Sequence, residues 1–337
     1  MNWPLFKDFL SIDSSSGKER TVAQWLLQQL QAPSKQAFEV GDGTLDLLFS
    51  WGTPRVVFCS HMDTVPPYIP PVFPEGDGDI IRGRGSCDAK GQVFAMYTAC
   101  KRLEAGGCTD FGLLLLSGEE TGSWGAKAFA KTDFRAPFLI VGEPTENKMA
   151  SASKGTKSYD LRFTGKAFHS GYPQYGESAI DLFNQFYNKL KEKDFGVDPE
   201  LGETTWNVGL LRSDNPQNIL SPELTCRLYF RTTFVSDGPV REWMRQHAGP
   251  YIVEERGGDS PARYVTLPGF ESAPVAFGSD APHLGNFGHK IICGPGTIRV
   301  AHRDEEHIRV QDLEKAVQQY VKMYHTLLGY GEKSVSL

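Results

Sequence analysis

Three short apolar runs constrain this chain most: 56–60 (Val-Val-Phe-Cys-Ser), and Phe111–Leu116 and 138–141 (Phe-Leu-Ile-Val), the last two without a polar break. A strand that is apolar on both faces must be covered on both faces, as in an α/β sheet with helices on either side. The intervening segments fit that plan. Residues 44–50 and 290–293 read as further strands. A helix is expected after Ser14-Ser15-Ser16-Gly17, taken as its cap, with Val22, Trp25, Leu26 and Leu30 at helical spacing. Another is expected over 92–103, with Val93, Met96, Tyr97 and Cys100 on one face, and a closing helix over 310–328, with Leu313, Val317, Tyr320 and Val321 on one side. The proline-rich 65–74 stretch is expected to be irregular.

The rhythm changes after Lys154. Residues 158–163, 205–211 and 225–233 alternate like half-exposed strands, and 179–190 and 240–247 read as helices. The α/β pattern returns near Pro268. With 337 residues, about two domains are expected. One is built from 1–155 and 268–337, and an α+β domain of 156–267 is inserted in it.

Composition excludes some partners. The formal net charge is −6 and no dense Lys/Arg cluster occurs, so nucleic acid is not expected. No window approaches the about 20 apolar residues of a membrane span, and the N-terminus carries Asp8 where a signal peptide needs a long apolar run. The six cysteines form no CxxC pair and suit a reducing, cytoplasmic compartment.

Chemistry-bearing residues follow the apolar strands, at the carboxyl ends where open α/β sheets bind ligands. His61 and Asp63 follow the first run, Glu119 and Glu120 the second, Glu143 the third, and His302 lies beyond the 290–293 strand. Asp88 precedes a helix. Any one of these is more often a loop residue or a cap. Together they offer two imidazoles and several carboxylates, a donor set suited to zinc, and so many gathered carboxylates call for a cation. In the Glu119-Glu120 doublet one side chain can hold a metal while its neighbour faces substrate; a helix N-terminus before Ser123 and Trp124 is the plainer reading.

The segments SHMDTVP, GRGSCDAKG, SGEETGSWGA, GEPT, FHSG, NIL…YFR, GSDA and GPGTIRVAHRDEE, in this order, resemble the co-catalytic di-zinc family of aminoacylases, acetylornithine and succinyl-diaminopimelate deacylases and glutamate carboxypeptidases. The resemblance implies a zinc-exopeptidase-like catalytic domain, a central mixed sheet flanked by helices, with an inserted α+β lid and dimerisation domain. It implies two divalent ions, zinc or cobalt, bridged by Asp88, with His61 and Glu143 completing one site and Glu120 and His302 the other. Asp63 would orient His61, Glu119 would act as general base and then acid, His169 would polarise the scissile carbonyl, often from a partner subunit, and Asn218 and Arg231 would hold substrate. A homodimer through the lid and a small N-acyl amino acid as substrate follow from the same likeness. Cys87-Asp88 and the GPGTIRVAHRDEE run lean towards the acetylornithine deacetylase branch of arginine biosynthesis. A dipeptidase or carboxypeptidase would share the metal centre, and a non-catalytic metal-binding scaffold would have lost a ligand or the base.

Overall fold

The computed structural model describes residues 1–41, 43–76 and 78–330. It divides into two compact units, one of Met1–Ser151, Tyr264–Ala273 and the chain from Ser279 onward, the other of Ala152–Arg263 and Pro274–Gly278.

The first unit is built on a six-stranded mixed sheet. Its order is Ser34–Val40, Thr44–Trp51, Phe111–Leu116, Val56–His61, Ala136–Val141, Phe287–Ile292. The first two strands form an antiparallel hairpin, and the second runs antiparallel to Phe111–Leu116. The last four are mutually parallel, so their carboxyl ends share one edge of the sheet. The unbroken apolar runs are buried along their whole length, and helices cover them. Val310–Tyr330 and Lys90–Ala105 pack on each other and into the same core as Phe58, Phe111 and Ile140.

Several local expectations need correction. The 14–17 segment does not cap a helix: the helix is Arg20–Gln29, preceded by Glu19 with no side-chain cap. Ser14 and Ser16 instead hydrogen-bond the 62–64 loop, and Ser15 forms a parallel bridge with Thr64. Lys90–Ala105 is not one-faced; Lys90, Gln92 and most of its other residues are buried, as befits a helix running through the core. Several elements were unforeseen, two of them in the N-terminal 40 residues. Trp3–Leu10 is a helix, started by Asn2 accepting from the Leu5 N–H and burying Phe6, Phe9 and Leu10. Ser34–Val40 is an edge strand, polar and largely exposed, so it carries no apolar signature. The 65–74 stretch is irregular apart from one antiparallel bridge between Val72 and Arg82. Among the described residues no helix is long and apolar enough to cross a membrane, and the six cysteines are free.

The second unit holds a four-stranded antiparallel sheet, ordered Thr205–Arg212, Glu223–Thr232, Gly155–Thr164, Ile252–Gly257. Alternate residues Tyr159, Leu161 and Phe163 face a core with Leu224, Leu228 and Phe230, roofed by the helices Ala179–Glu192 and Asp237–Ala248 through Phe186, Leu190, Val240 and Met244. The other face carries Asp160 and Arg227, paired at 2.6 Å. This is the one-face-open sheet that period-two alternation specifies.

Candidate metal centre

Four neighbouring parallel strands aim their carboxyl ends at one spot, and the loops leaving them bring seven of the expected residues together. His61 closes the Val56–His61 strand and Asp63 follows within two residues. Glu119 and Glu120 occupy the turn after Phe111–Leu116, where Gly118 (φ 70°) reverses the chain. Glu143 follows Ala136–Val141. Asp88 precedes the Lys90–Ala105 helix, and His302 lies in the loop after Phe287–Ile292.

Asp88 is the centre of the arrangement. Its Oδ1 lies 3.1 Å from His61 Nε2 and its Oδ2 lies 3.3 Å from His302 Nε2. One carboxylate thus addresses two imidazoles through separate oxygens. His302 Nε2 is also 2.9 Å from Glu120 Oε1. Ligand atoms fall into clusters within 4.8 Å: His61, Asp88 and Glu143; Asp88, Glu120 and His302; and His61 with Glu119 and Glu120. Asp88 belongs to the first two, which is the geometry a bridging ligand needs.

The supporting groups fix this geometry. His61 Nδ1 is 3.0 Å from the Asp63 carbonyl oxygen and 3.4 Å from Asp63 Oδ1. A carbonyl only accepts, so Nδ1 carries a proton, and Nε2 is the ring nitrogen left to face the cluster. Asp63 also accepts the backbone N–H of Glu119 on Oδ1 and that of Glu120 on Oδ2, each at 3.1 Å. The doublet is therefore held by a carboxylate cap rather than by the short Trp124–Phe129 helix, whose Ser123 makes no side-chain cap bond. Ser16 Oγ donates to Asp63 Oδ2 at 2.8 Å and Ser14 Oγ to the Met62 carbonyl at 2.8 Å.

The electrostatics are those of a site built for cations. Burial pushes the Glu143 carboxyl well above the usual range, and the charges of Glu119 and Asp88 push it further. Burial does the same to Glu119, with Asp280, Glu120 and Asp88 adding to it against the pull of His61. Hydrogen bonds to Asp88 and Glu120 raise His302 to about 10. Burial alone would lower His61, but its bonds to Asp63 and Asp88 outweigh that and raise it. Glu143 Oε1 is buried without any hydrogen-bond partner. An orphaned carboxylate oxygen beside an imidazole nitrogen and a second carboxylate fits a divalent ion, and the donors are all imidazole nitrogen and carboxylate oxygen, a set that zinc, cobalt and manganese accept.

The remaining expected residues belong to the second unit. His169 and Asn218 lie on adjacent exposed loops, joined by a bridge between His169 and Ile219 and by the Ser170 N–H donating to the Asn218 carbonyl at 2.9 Å. His169 Nδ1 accepts from the Gly171 N–H at 3.1 Å, which leaves Nε2 as the donor. Arg231, on Glu223–Thr232, stacks its guanidinium over Tyr229, 5.0 Å from the ring centroid.

Sequence reasoning passed over four buried acids of the first unit: Glu19, Asp46, Asp280 and Glu306. Asp46 accepts the Ser117 N–H at 2.9 Å, and Glu306 binds the loop carrying Asp88. Asp46 did carry a signal: it is a lone acid inside an otherwise apolar strand, TLDLLFSW.

Comparison with known proteins agrees with the geometry. A model of peptidase family M20/M25/M40 matches residues 57–326. A peptidase M20 domain-containing protein of Schizosaccharomyces pombe is 32% identical, the match covering 95% of this chain and 83% of that protein. A probable carboxypeptidase of Aspergillus terreus is 32% identical over 94% of this chain and 84% of its own length. Among solved structures, a tripeptidase from Staphylococcus aureus superposes with a TM-score of 0.78 at 19% identity, covering 95% of this chain and 96% of that one. An M20 family metallo-carboxypeptidase from Sulfolobus solfataricus gives 0.73 at 17% identity, covering 96% and 98%. The chain belongs to peptidase family M20/M25/M40, metal-dependent hydrolases that typically use zinc, and it has their α/β exopeptidase fold.

Proposed function

We propose that this protein hydrolyses the amide bond of an amino acid that is acylated on its nitrogen and keeps a free α-carboxylate. The observation that carries this is Asp88, whose two oxygens face two imidazoles and join two ligand clusters. His61, Asp88 and Glu143 would hold one divalent ion, and Asp88, Glu120 and His302 the other. Two such ions supply Lewis-acid chemistry, polarising the scissile carbonyl and acidifying water.

The chain's own groups supply the rest. Glu119, lodged beside His61 and Glu120, takes the proton of the attacking water and delivers it to the departing amine nitrogen. Its burial keeps the carboxyl able to hold that proton between the two events. Asp63 fixes the tautomer of His61 and the direction of the Glu119-Glu120 turn. His169 presents Nε2–H as a donor suited to a carbonyl oxygen, from its own chain or from a second copy in a homodimer formed through the 156–267 domain. Arg231 is suited to an α-carboxylate, with Asn218 as a further substrate contact.

Two substrate types share this chemistry. The probable carboxypeptidase among the relatives favours a peptide C-terminus. The Cys87-Asp88 pair and the 294–306 run favour an N-acyl amino acid, N-acetylornithine first. A steady-state assay with added zinc or cobalt across N-acetylornithine, N-acetylcitrulline, N-succinyl-diaminopimelate and dipeptides, each with free and amidated carboxyl, separates them. We expect turnover of free-carboxylate substrates and its loss on amidation. Equal turnover of the amidated forms contradicts the role given to the α-carboxylate.

A further inference from the structure

Asp88 and His302 stand 214 positions apart in the chain, and neither lies on a strand of the main sheet. What sets their spacing is a separate two-stranded ladder. Ile80–Arg82 pairs antiparallel with His307–Arg309, with His307 opposite Arg82. The segment leaving the first strand, 83–88, carries Asp88. The segment entering the second, 301–306, carries His302, at a left-handed φ of 63°.

Glu306 fastens these two segments at the end of the ladder. Its Oε1 accepts three backbone N–H groups, from Gly85 at 2.9 Å and from Cys87 and Asp88 at 3.1 Å each. Its Oε2 accepts from Arg84 Nη1 at 2.6 Å. Arg84 Nη1 also reaches the Arg303 carbonyl at 3.2 Å, and the Gly83 N–H donates to the Glu306 carbonyl at 3.1 Å. Arg84 and Glu306 are 2% and 1% exposed, so water does not substitute for either. One carboxylate thus gathers the peptide groups of the loop ending at Asp88, while its own backbone belongs to the loop of His302.

We propose that Glu306 is a positioning residue of the metal centre: through the backbone N–H groups of Gly85, Cys87 and Asp88 it sets the two oxygens of Asp88 against His61 and His302. The role rests on the metal-binding reading above. A side chain that orients a ligand without touching the ion changes metal affinity by about 10–100-fold when lost.

The test is zinc titration of chelator-stripped protein, read as dissociation constants and stoichiometry, alongside the melting temperature of the same metal-free samples. Glu306→Gln keeps the size but loses the charge that attracts four donors. It should weaken the less tightly held zinc by at least about tenfold, while the stripped protein still unfolds cooperatively. Glu305→Gln, an exposed neighbour, should leave both constants unchanged. If Glu306→Gln does not fold, Arg84→Met, which keeps the three N–H bonds, should shift zinc affinity in the same direction by a smaller factor. A Glu306→Gln protein, or in its place an Arg84→Met protein, that melts earlier but binds two zinc ions as tightly as wild type overturns the proposal and leaves Glu306 a structural residue. Wild-type protein that binds no zinc overturns the metal reading itself, and this role with it.

Discussion

At the residue scale, the candidate site is a set of acids separated into roles by what they touch. Glu119 and Glu120 are neighbours in one turn, yet Glu120 bonds His302 while the Glu119 carboxyl lies beside His61 and Glu120. We therefore expect Glu119→Gln to retain its zinc content and lose turnover by about 10²–10⁴-fold; elemental analysis beside an activity assay checks this, and a variant with wild-type turnover removes Glu119 from the chemistry. Asp46 invites a pH test. Burial pushes its carboxyl up to about 8, with Asp280, Asp63 and Glu19 adding to it and the Ser117 N–H opposing. The native state then keeps a proton that the unfolded chain gives up near 3.8, so this group's contribution to stability falls as pH rises from there to about 8. Asp46→Asn keeps an acceptor for the Ser117 N–H and cannot ionise. Its melting temperature should match wild type near pH 4 and exceed it at pH 8. A deficit at pH 8 contradicts the burial argument. That His61, Asp88, Glu119, Glu120, Glu143 and His302 would gather was legible because each follows an apolar strand or precedes a helix; the roles expected of them came from the family resemblance. Glu19, Asp280 and Glu306 were not, because a buried acid reveals itself only through partners far away in sequence, such as the 85–88 amides for Glu306.

At the element scale, strands covered on both faces could be read directly: Phe111–Leu116 is one such run from end to end. The Ser34–Val40 edge could not, because its exposed polar residues lack any periodic apolar signal. Nor could the true job of Ser14–Ser16, since a serine cluster before a helical pattern is equally a cap or a support for another loop. The Lys90–Ala105 helix shows how tightly an element can hold a site. A Cβ at Gly91 would sit 2.1 Å from the Ser86 carbonyl oxygen, in the turn that leads to Asp88. Gly91→Ala should destabilise the protein by about 1–3 kcal/mol and lower its zinc content as well; an unperturbed melting curve would mean that the turn gives way freely.

On the scale of the whole molecule, the switch from unbroken to alternating strands after Lys154 marks two kinds of sheet, one covered on both faces and one on a single face. That contrast follows from apolar periodicity alone. The cation chemistry does not: it needs His61 at a strand end and Asp88 and His302 on two separate loops brought together. An ion that binds the native state and not the unfolded chain stabilises the protein, so zinc at a hundredfold excess over its dissociation constant should contribute about 2.7 kcal/mol for each site filled. Asp88→Ala should lose most of that gain in a thermal scan, and an equal zinc response in both proteins would place the ions elsewhere.

The most direct measurement is turnover of a free-carboxylate N-acyl amino acid or dipeptide as zinc is returned, in known equivalents, to chelator-stripped protein. The proposed function requires no turnover without metal and a rise that levels off at two zinc ions per chain. Turnover that survives stripping, or that ignores added zinc across the substrate panel, would contradict a two-ion hydrolase.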